Sequence, residues 1–456
     1  FVVATGNVLM SCTSDEERGN SVLDGTYPMT FVGQVFDRPL TRTTSEGSWD
    51  GTEKVAIQIG EEVKLYTADE NGGLTADEPF YWENNKLAAQ RLAKIMYNKT
   101  DSGSYERFKI VHISDSHLSS WSPSNNYELP INLRQSIQFA NQQELRINAI
   151  TATGDFISID KKKKAKEYMH SFIHYLYDEN HVPTFICTGN HDSNSEEEIG
   201  STFFYKNEIN EILFANSNYS KNRNSAENYY YSDVANPQGG TIRFIALDML
   251  DQPASQYNTL SYAYFSQKQI DWLINTALKN GMTDHHSVII LTHYPFQRRS
   301  VNNDTYLCDG DYVHSWNMIP EIIEAFRTRS LLEKVYPNQF NLDPINVKAD
   351  FSDRKGEFVC YLGGHIHCNA YFDVTGLENE STELVPQKMI LCTNQAPSEK
   401  GVVYNRVIRE EDSLSSNSFC IYAVDTKEKK IYITYFGAYK PSNDCNYPEI
   451  HTISYN

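Results

Sequence analysis

Five apolar runs in this sequence end in residues that hold metals or move protons. Ile110-Val111-His112-Ile113 leads into Ser114-Asp115-Ser116-His117, and Ile150-Thr151-Ala152-Thr153 into Gly154-Asp155. Phe185-Ile186-Cys187-Thr188 precedes Gly189-Asn190-His191-Asp192, Val288-Ile289-Ile290-Leu291 precedes Thr292-His293, and Cys360-Tyr361-Leu362 precedes Gly363-Gly364-His365-Ile366-His367. Carboxylate and amide oxygens mixed with imidazoles suit divalent or trivalent first-row metals, and the lack of thiolates argues against a structural zinc site. The carboxylates of Asp115 and Asp155, the rings of His117, His293, His365 and His367 and the amide of Asn190 are too many ligands for one tetrahedral ion. They suffice for two ions about 3.5–4 Å apart that share a carboxylate, the geometry of two-metal phosphoester hydrolysis. Asp-x-His or Gly-Asp alone carries little weight. Five such groups in order, each after an apolar run, leave little room for coincidence.

The elements that must position these groups alternate between strand and helix. Phe108–Ser114, Ala149–Thr153, Val182–Cys187, Thr241–Leu247, Ser287–Leu291 and Glu357–Leu362 read as strands. Ile131–Arg146, Lys161–Asp178, Gln267–Lys279 and Pro320–Lys334 read as helices, and Phe419–Val424 with Lys430–Tyr435 as a late hairpin. This alternation predicts an α/β domain with buried sheets. Ligands gather at the carboxyl ends of strands in such folds, so distant loops can converge there. Lys161 to Lys164 is a solvated helix face.

Composition narrows the function. The chain has 456 residues, 40 Lys plus Arg against 59 Asp plus Glu, and a net charge of −19. That field repels nucleic-acid backbones and anionic membrane surfaces, leaving a small phosphorylated substrate as the expected partner. No apolar run approaches the roughly 20 residues that span a bilayer. Eight Cys are too sparse for a disulfide scaffold, and Cys187, Cys360 and Cys392, inside apolar runs, read as buried free thiols. Oligomeric state carries no signal.

The first part of the chain has a different texture. Residues 1–25 read as a signal remnant and tether: the sequence opens at Phe1 without Met, and Leu9-Met10-Ser11-Cys12 resembles a bacterial lipobox, making Cys12 a candidate for lipidation. The expected location is therefore extracytoplasmic, lipid-anchored to a bacterial outer membrane or periplasmic, with membrane contact only through that anchor. Residues 26–85 form a small β-rich segment in which Met29–Val32, Lys54–Ile59 and Glu62–Tyr66 alternate with period two. Pro28 to Trp82, with Arg42-Thr43-Thr44, Trp49, Ile57-Gln58-Ile59-Gly60 and Phe80-Tyr81-Trp82, resembles the opening of fimbrillin-like surface lipoproteins. Residues 86–105 read as a helical linker, with Ala88, Leu92, Ile95 and Met96 on one face. Residues 106–456 read as one α/β domain that carries all five groups.

Asp115-x-His117, Gly154-Asp155, Gly189-Asn190-His191-Asp192, His293 and Gly364-His365-x-His367 together resemble the ordered motifs of the calcineurin-like metallophosphoesterases, over about Phe108 to Gly437. The resemblance implies a four-layer α/β/β/α sandwich with a dinuclear site at one edge, holding two divalent or trivalent ions (Mn, Fe or Zn). It implies that Asp115, His117 and His367 bind the first metal, that Asn190, His293 and His365 bind the second, and that Asp155 bridges them. His191 is the expected proton donor to the leaving group, with Asp192 orienting it. A metal-bridging hydroxide would attack phosphorus in line. Purple acid phosphatases carry Tyr three residues after the bridging Asp; here that residue is Ser158, so no Tyr–iron charge-transfer pair is expected. The long insertion between His293 and His365, with Tyr306, Tyr312, His314 and Trp316, is a candidate wall for the substrate. The expected function is hydrolysis of phosphomonoesters or small phosphodiesters. The alternatives are a nuclease-like phosphodiesterase of the same fold and a surface adhesion protein with a vestigial metal site.

Overall fold

The computed structural model divides into two units, Phe1–Leu87 and Ala88–Asn456. In the first it describes residues 26–28, 31–32, 54–59, 62–69, 73–77 and 81–83. In the second it describes 107–119, 128–178, 180–194, 202–214, 227–251, 263–296, 299–301, 304–306, 315, 317–338, 342–367, 369–375, 384–392, 395, 418–437 and 450–455. Cys12, Tyr312, His314, Trp316 and the helix expected at 86–105 lie outside these residues.

The smaller unit contains a four-stranded antiparallel sheet and a separate strand pair, Thr26–Pro28 with Tyr81–Glu83. Lys54–Ile59 pairs with Glu62–Ala68, whose Tyr66 and Ala68 are buried while Val63 and Leu65 are exposed. That is the period-two pattern of a half-buried strand.

The larger unit is built on two six-stranded mixed sheets. The first runs in the order Ile450–Ser454, Lys430–Gly437, Ser418–Asp425, Phe108–Ile113, Ala149–Thr153, Thr184–Cys187. The second runs Tyr230–Ala235, Thr241–Ala246, His286–Leu291, Glu357–Gly363, Gln387–Leu391, Ala370–Val374. Three consecutive strands of the first sheet and four of the second are parallel, so each sheet sends its strand carboxyl ends the same way.

Apolar faces explain the layering. Phe244 of the second sheet stacks on Phe185 of the first at 4.6 Å and touches Phe108 at 6.0 Å. Burying each such ring contributes about 1.5–3 kcal/mol. Tyr230 closes the edge, its hydroxyl accepting from Ile186 N at 2.8 Å and donating to Ile186 O at 3.0 Å. Outside the second sheet, Ile270, Leu273, Ile274, Ile319, Ile322, Ile323 and Phe326 cover Ile245, Val288, Ile290 and Met389. Outside the first, Phe172 of helix Lys162–Ile173 stacks on Phe156, and Phe139 of helix Glu128–Ala140 meets Phe419. The result is the four-layer α/β/β/α order.

One expectation fails. Pro320–Lys334 is not a single helix: the helix spans Met318–Thr328, and Leu331–Tyr336 is a strand paired with Ile345–Asp350. Arg329 ends the helix in the left-handed region at φ 55°, where Gly or Asn is usual, so the sequence carries no stop signal there. Gln267–Lys279 is also modified, its α-helix giving way to a π-turn over Leu273–Ala277.

Candidate metal centre

All five groups meet beyond the carboxyl ends of the parallel strands. Asp115 and His117 follow Phe108–Ile113, Asp155 follows Ala149–Thr153, and Asn190 to Asp192 follow Thr184–Cys187, so these come from the first sheet. His293 follows His286–Leu291, while His365 and His367 follow Glu357–Gly363, so these come from the second. The site is a seam between sheets.

The loops are locked by backbone contacts. Asp115 N donates to Gly154 O at 3.0 Å, His117 N to Asp155 O at 2.9 Å, and Gly364 N to His293 O at 3.0 Å. Asp115, His117, Asp155, His365 and His367 all have positive φ, between 46° and 72°. Non-glycine residues rarely adopt that region, and clusters of them mark sites where strain is held in place by surrounding structure. Glycine is required where loops touch. A Cβ on Gly154 (φ 84°) would lie 2.4 Å from Gly189 N, and one on Gly364 only 1.8 Å from Ser114 Oγ and 2.3 Å from Asp115 Oδ2.

Three overlapping groups of ligand atoms lie within 4.8 Å of one another: Asp115, His117 and His367; His117, Asp155 and His191; and Asp155, His293 and His365. Asp155 belongs to two of them. Its Oδ2 is 3.1 Å from His293 Nε2, 3.7 Å from His117 Nε2 and 3.9 Å from His191 Nε2. Asp115 Oδ1 is 3.3 Å from His367 Nε2, and His117 and His367 present Nε2 atoms to each other at 2.9 Å. Asn190 Oδ1 lies 3.1 Å from His293 Nε2 and 3.2 Å from His365 Nδ1. Every expected ligand therefore faces this one seam, where the three groups overlap at His117 and at Asp155.

The electrostatics call for a cation. Asp115 and Asp155 are buried, and burial alone would raise their pKa values. The charges of His293 and His367 instead hold Asp115 down at about 2, and His293 and His191 hold Asp155 well below the carboxylate range. Burial pulls the imidazoles down, to about 3 for His117 and His365. His293 is the exception: burial lowers it, but Asp155 and Asp115 outweigh that and raise it to about 9. A proton on His293 offsets only one of the two carboxylate charges. Neutral imidazoles, carboxylates and an amide oxygen form a donor set that fits first-row divalent or trivalent ions.

Outer contacts set the ring orientations. His293 Nδ1 donates to Thr153 O at 2.6 Å, leaving Nε2 for the seam, and His117 Nδ1 lies 3.2 Å from Ser158 Oγ. Such partners fix tautomer and aim of metal-binding imidazoles. Tyr294 packs on the His365 ring at 4.0 Å. Ser116 Oγ donates to Gln395 Oε1 at 2.8 Å, and Gln395 N donates to Ser114 O at 2.9 Å, securing the Asp115 loop. No sequence pattern marks Thr153, Tyr294 or Gln395. Asp248 was also legible only as one more polar residue after a strand; it accepts from Thr188 Oγ1 at 2.7 Å behind the Asn190 turn.

Asp192 does not orient His191. Its carboxylate accepts backbone N–H bonds from Asp155 at 3.1 Å, Phe156 at 2.8 Å and Gly189 at 2.8 Å, stitching two ligand loops together. Burial and then the Asp155 charge push its pKa up to about 7. The three-residue spacing from Gly189 turns this side chain back toward its own loop, away from the His191 ring. His191 is tethered through its backbone, whose N–H donates to Asp155 Oδ1 at 2.8 Å. Its Nδ1 is buried with no hydrogen-bond partner among the described residues. The His191 side chain is 29% exposed whereas His293 is fully buried, so His191 stands at the mouth of the seam.

Comparison with known proteins gives a family-model match, calcineurin-like phosphoesterase, over residues 108–369. No curated protein sequence matches the chain. Among solved structures it is similar to purple acid phosphatase PPD1 from yellow lupin (Lupinus luteus) seeds, at 13% identity and a TM-score of 0.37, covering 86% of this chain and 59% of that one. It is also similar to PhoD, at 10% identity and a TM-score of 0.40, covering 77% of this chain and 69% of the other. The family match covers none of residues 26–82, where the fimbrillin-like resemblance lies.

Proposed function

Because this chain belongs to the calcineurin-like phosphoesterase family, we propose that it is a dinuclear-metal hydrolase of phosphomonoesters or small phosphodiesters, acting outside the cytoplasm. The observation that carries the reading is Asp155, one buried carboxylate shared by the His117–His191 group and the His293–His365 group. Asp115, His117 and His367 would hold one ion, Asn190, His293 and His365 the other, with Asp155 between them. Bound there, a pair of cations supplies Lewis acidity toward phosphoryl oxygens and acidifies water at neutral pH.

The chain's own groups do the rest. Asp115 and Asp155 stay ionised at neutral pH, held so by the facing imidazoles. Thr153 O and Ser158 Oγ aim His293 and His117. His191, at the mouth, is placed to give a proton to a departing oxygen; general acid catalysis of this kind contributes typically about 10²–10⁴-fold. The net charge of −19 supports a small substrate over a nucleic-acid strand, and the lipobox-like Leu9–Cys12 supports the extracytoplasmic location.

The test is the full chain, loaded in turn with Mn, Fe or Zn, assayed on p-nitrophenyl phosphate, its bis ester and cyclic nucleotides, with metal content measured alongside. Hydrolysis that tracks two bound ions per chain is expected. Loaded protein inert on every ester, or protein that takes up no metal, would overturn the reading in favour of an adhesion role.

A further inference from the structure

Four cysteines fall among the described residues, and all are buried. Two of them meet: Sγ of Cys420 lies 3.2 Å from Sγ of Cys392, both fully shielded from solvent. They stand on different sheets. Cys420 lies opposite His112 in the strand pair that leads to Asp115. Cys392 directly follows Gln387–Leu391 of the second sheet, and its N–H donates to Gly363 O, at the end of the strand leading to His365 and His367. We propose that Cys392 and Cys420 form a disulfide that ties the first sheet to the second directly behind the metal centre.

Going from this contact to a bond of about 2.05 Å needs the sulfurs to approach by roughly 1 Å. Little is lost in exchange. As thiols the pair makes weak sulfur contacts, among them Cys420 Sγ at 3.6 Å from Asn369 Oδ1 and Cys392 Sγ at 3.7 Å from His112 O. Burial pushes the Cys392 thiol up, which disfavours thiolate chemistry inside the finished fold. The bond therefore forms while the sheets are still coming together. One cysteine thiolate attacks a disulfide oxidant and expels one thiol. The second thiolate then displaces the mixed disulfide, so two protons leave the chain and two electrons reduce the oxidant to two thiols. Once enclosed, the disulfide is shielded from reductant. It acts as a permanent tie, and because each sheet supplies part of the ligand set, it constrains the seam where those ligands meet.

Trypsin separates the two cysteines cleanly, cutting after Lys388, Lys400, Arg409 and Lys427 to give peptides 389–400 and 410–427 with one cysteine each. The full chain is refolded with oxidised and reduced glutathione, alkylated, digested without reduction and analysed by mass spectrometry. Expected is a cross-linked pair of these two peptides. Reductant applied during unfolding should lower the melting temperature by roughly 5 °C. Cys420→Ser should melt at the reduced value with or without reductant. Recovery of both peptides separately alkylated, or of either joined to another cysteine, would overturn the proposal. Should Cys420→Ser fail to fold, the wild-type peptide map still decides.

Discussion

The two ends of the sandwich treat buried carboxylates differently. Where Phe108–Ile113 begins, Asp425 is fully buried and meets the guanidinium of Arg107 at 3.2 Å. That negative charge has a permanent protein cation. Where the same strand ends, Asp115 and Asp155 are equally buried, yet the only side chains able to carry positive charge that the described residues place within 4 Å of them are imidazoles. Imidazole is a weak counterion here at neutral pH: burial drives His117 and His365 to the neutral form, and His293, raised to about 9, brings one positive charge against two carboxylates. An unpaired buried charge is costly, whereas neutral rings around carboxylates make a ligand set. One end completes its electrostatics from its own sequence, and the other is built to take its positive charge from solution.

The largest test of that contrast is Asp155→Asn. Loss of the shared carboxylate should empty both metal positions and reduce turnover by more than the roughly 10–100-fold typical of losing an outer partner of a ligand. Elemental analysis that still finds two ions at wild-type affinity would end the bridging assignment. His191→Ala should keep both ions and slow turnover by roughly 10²–10⁴-fold, separating the group at the mouth from the ligands behind it. A loss of metal in that variant would move His191 into the ligand set. Ser158→Ala removes the hydroxyl 3.2 Å from His117 Nδ1, so metal affinity should weaken by about tenfold, read by competition with a chelator. At the other end, Arg107→Ala leaves the buried Asp425 charge without its guanidinium, with Gln238 Nε2 and the N–H groups of Lys427 and Glu428 as its remaining donors. It should destabilise the chain by about 3–5 kcal/mol while leaving ion content and KM unchanged, and altered metal stoichiometry would show that the two ends are not independent.

Acidity sharpens the same contrast. In metal-free protein, His293 has its pKa raised from 6.5 to about 9, so the stability it contributes is complete below pH 6.5 and is lost as pH rises through about 9. Metal binding requires the neutral ring and has the opposite slope. Thermal melts in chelator should therefore fall from pH 6.5 to 9, while the rise in melting temperature on adding Mn grows. Parallel slopes would mean that His293 is not the proton-bearing group.

The ligand loops were legible because chemistry and position coincide: an apolar run that stops at Asp, His or Asn is a buried strand delivering a donor to its carboxyl end. Asp115, His117, Asp155, Asn190, His293, His365 and His367 all face one seam for that reason. What failed was orientation and termination. Asp192 is adjacent to His191 in sequence, but its carboxylate finds three backbone N–H donors closer to hand. Leu331–Tyr336 was absorbed into the preceding helix because Arg329 takes the left-handed turn that a glycine would have announced. Ser158 was noticed as a missing Tyr, and only the fold gives it a task, holding His117. Thr153 and Gln395 contribute through backbone atoms or at long range, where residue type carries no signal.

Gly364 carries a consequence for how closely the two sheets meet. Hydrogen alone fits between its Cα and the Ser114–Asp115 pair, so the His365–His367 loop already rests against the opposing sheet like a caliper jaw at its stop. A side chain at position 364 would wedge that contact apart and lift the His365–His367 loop away from Asp115.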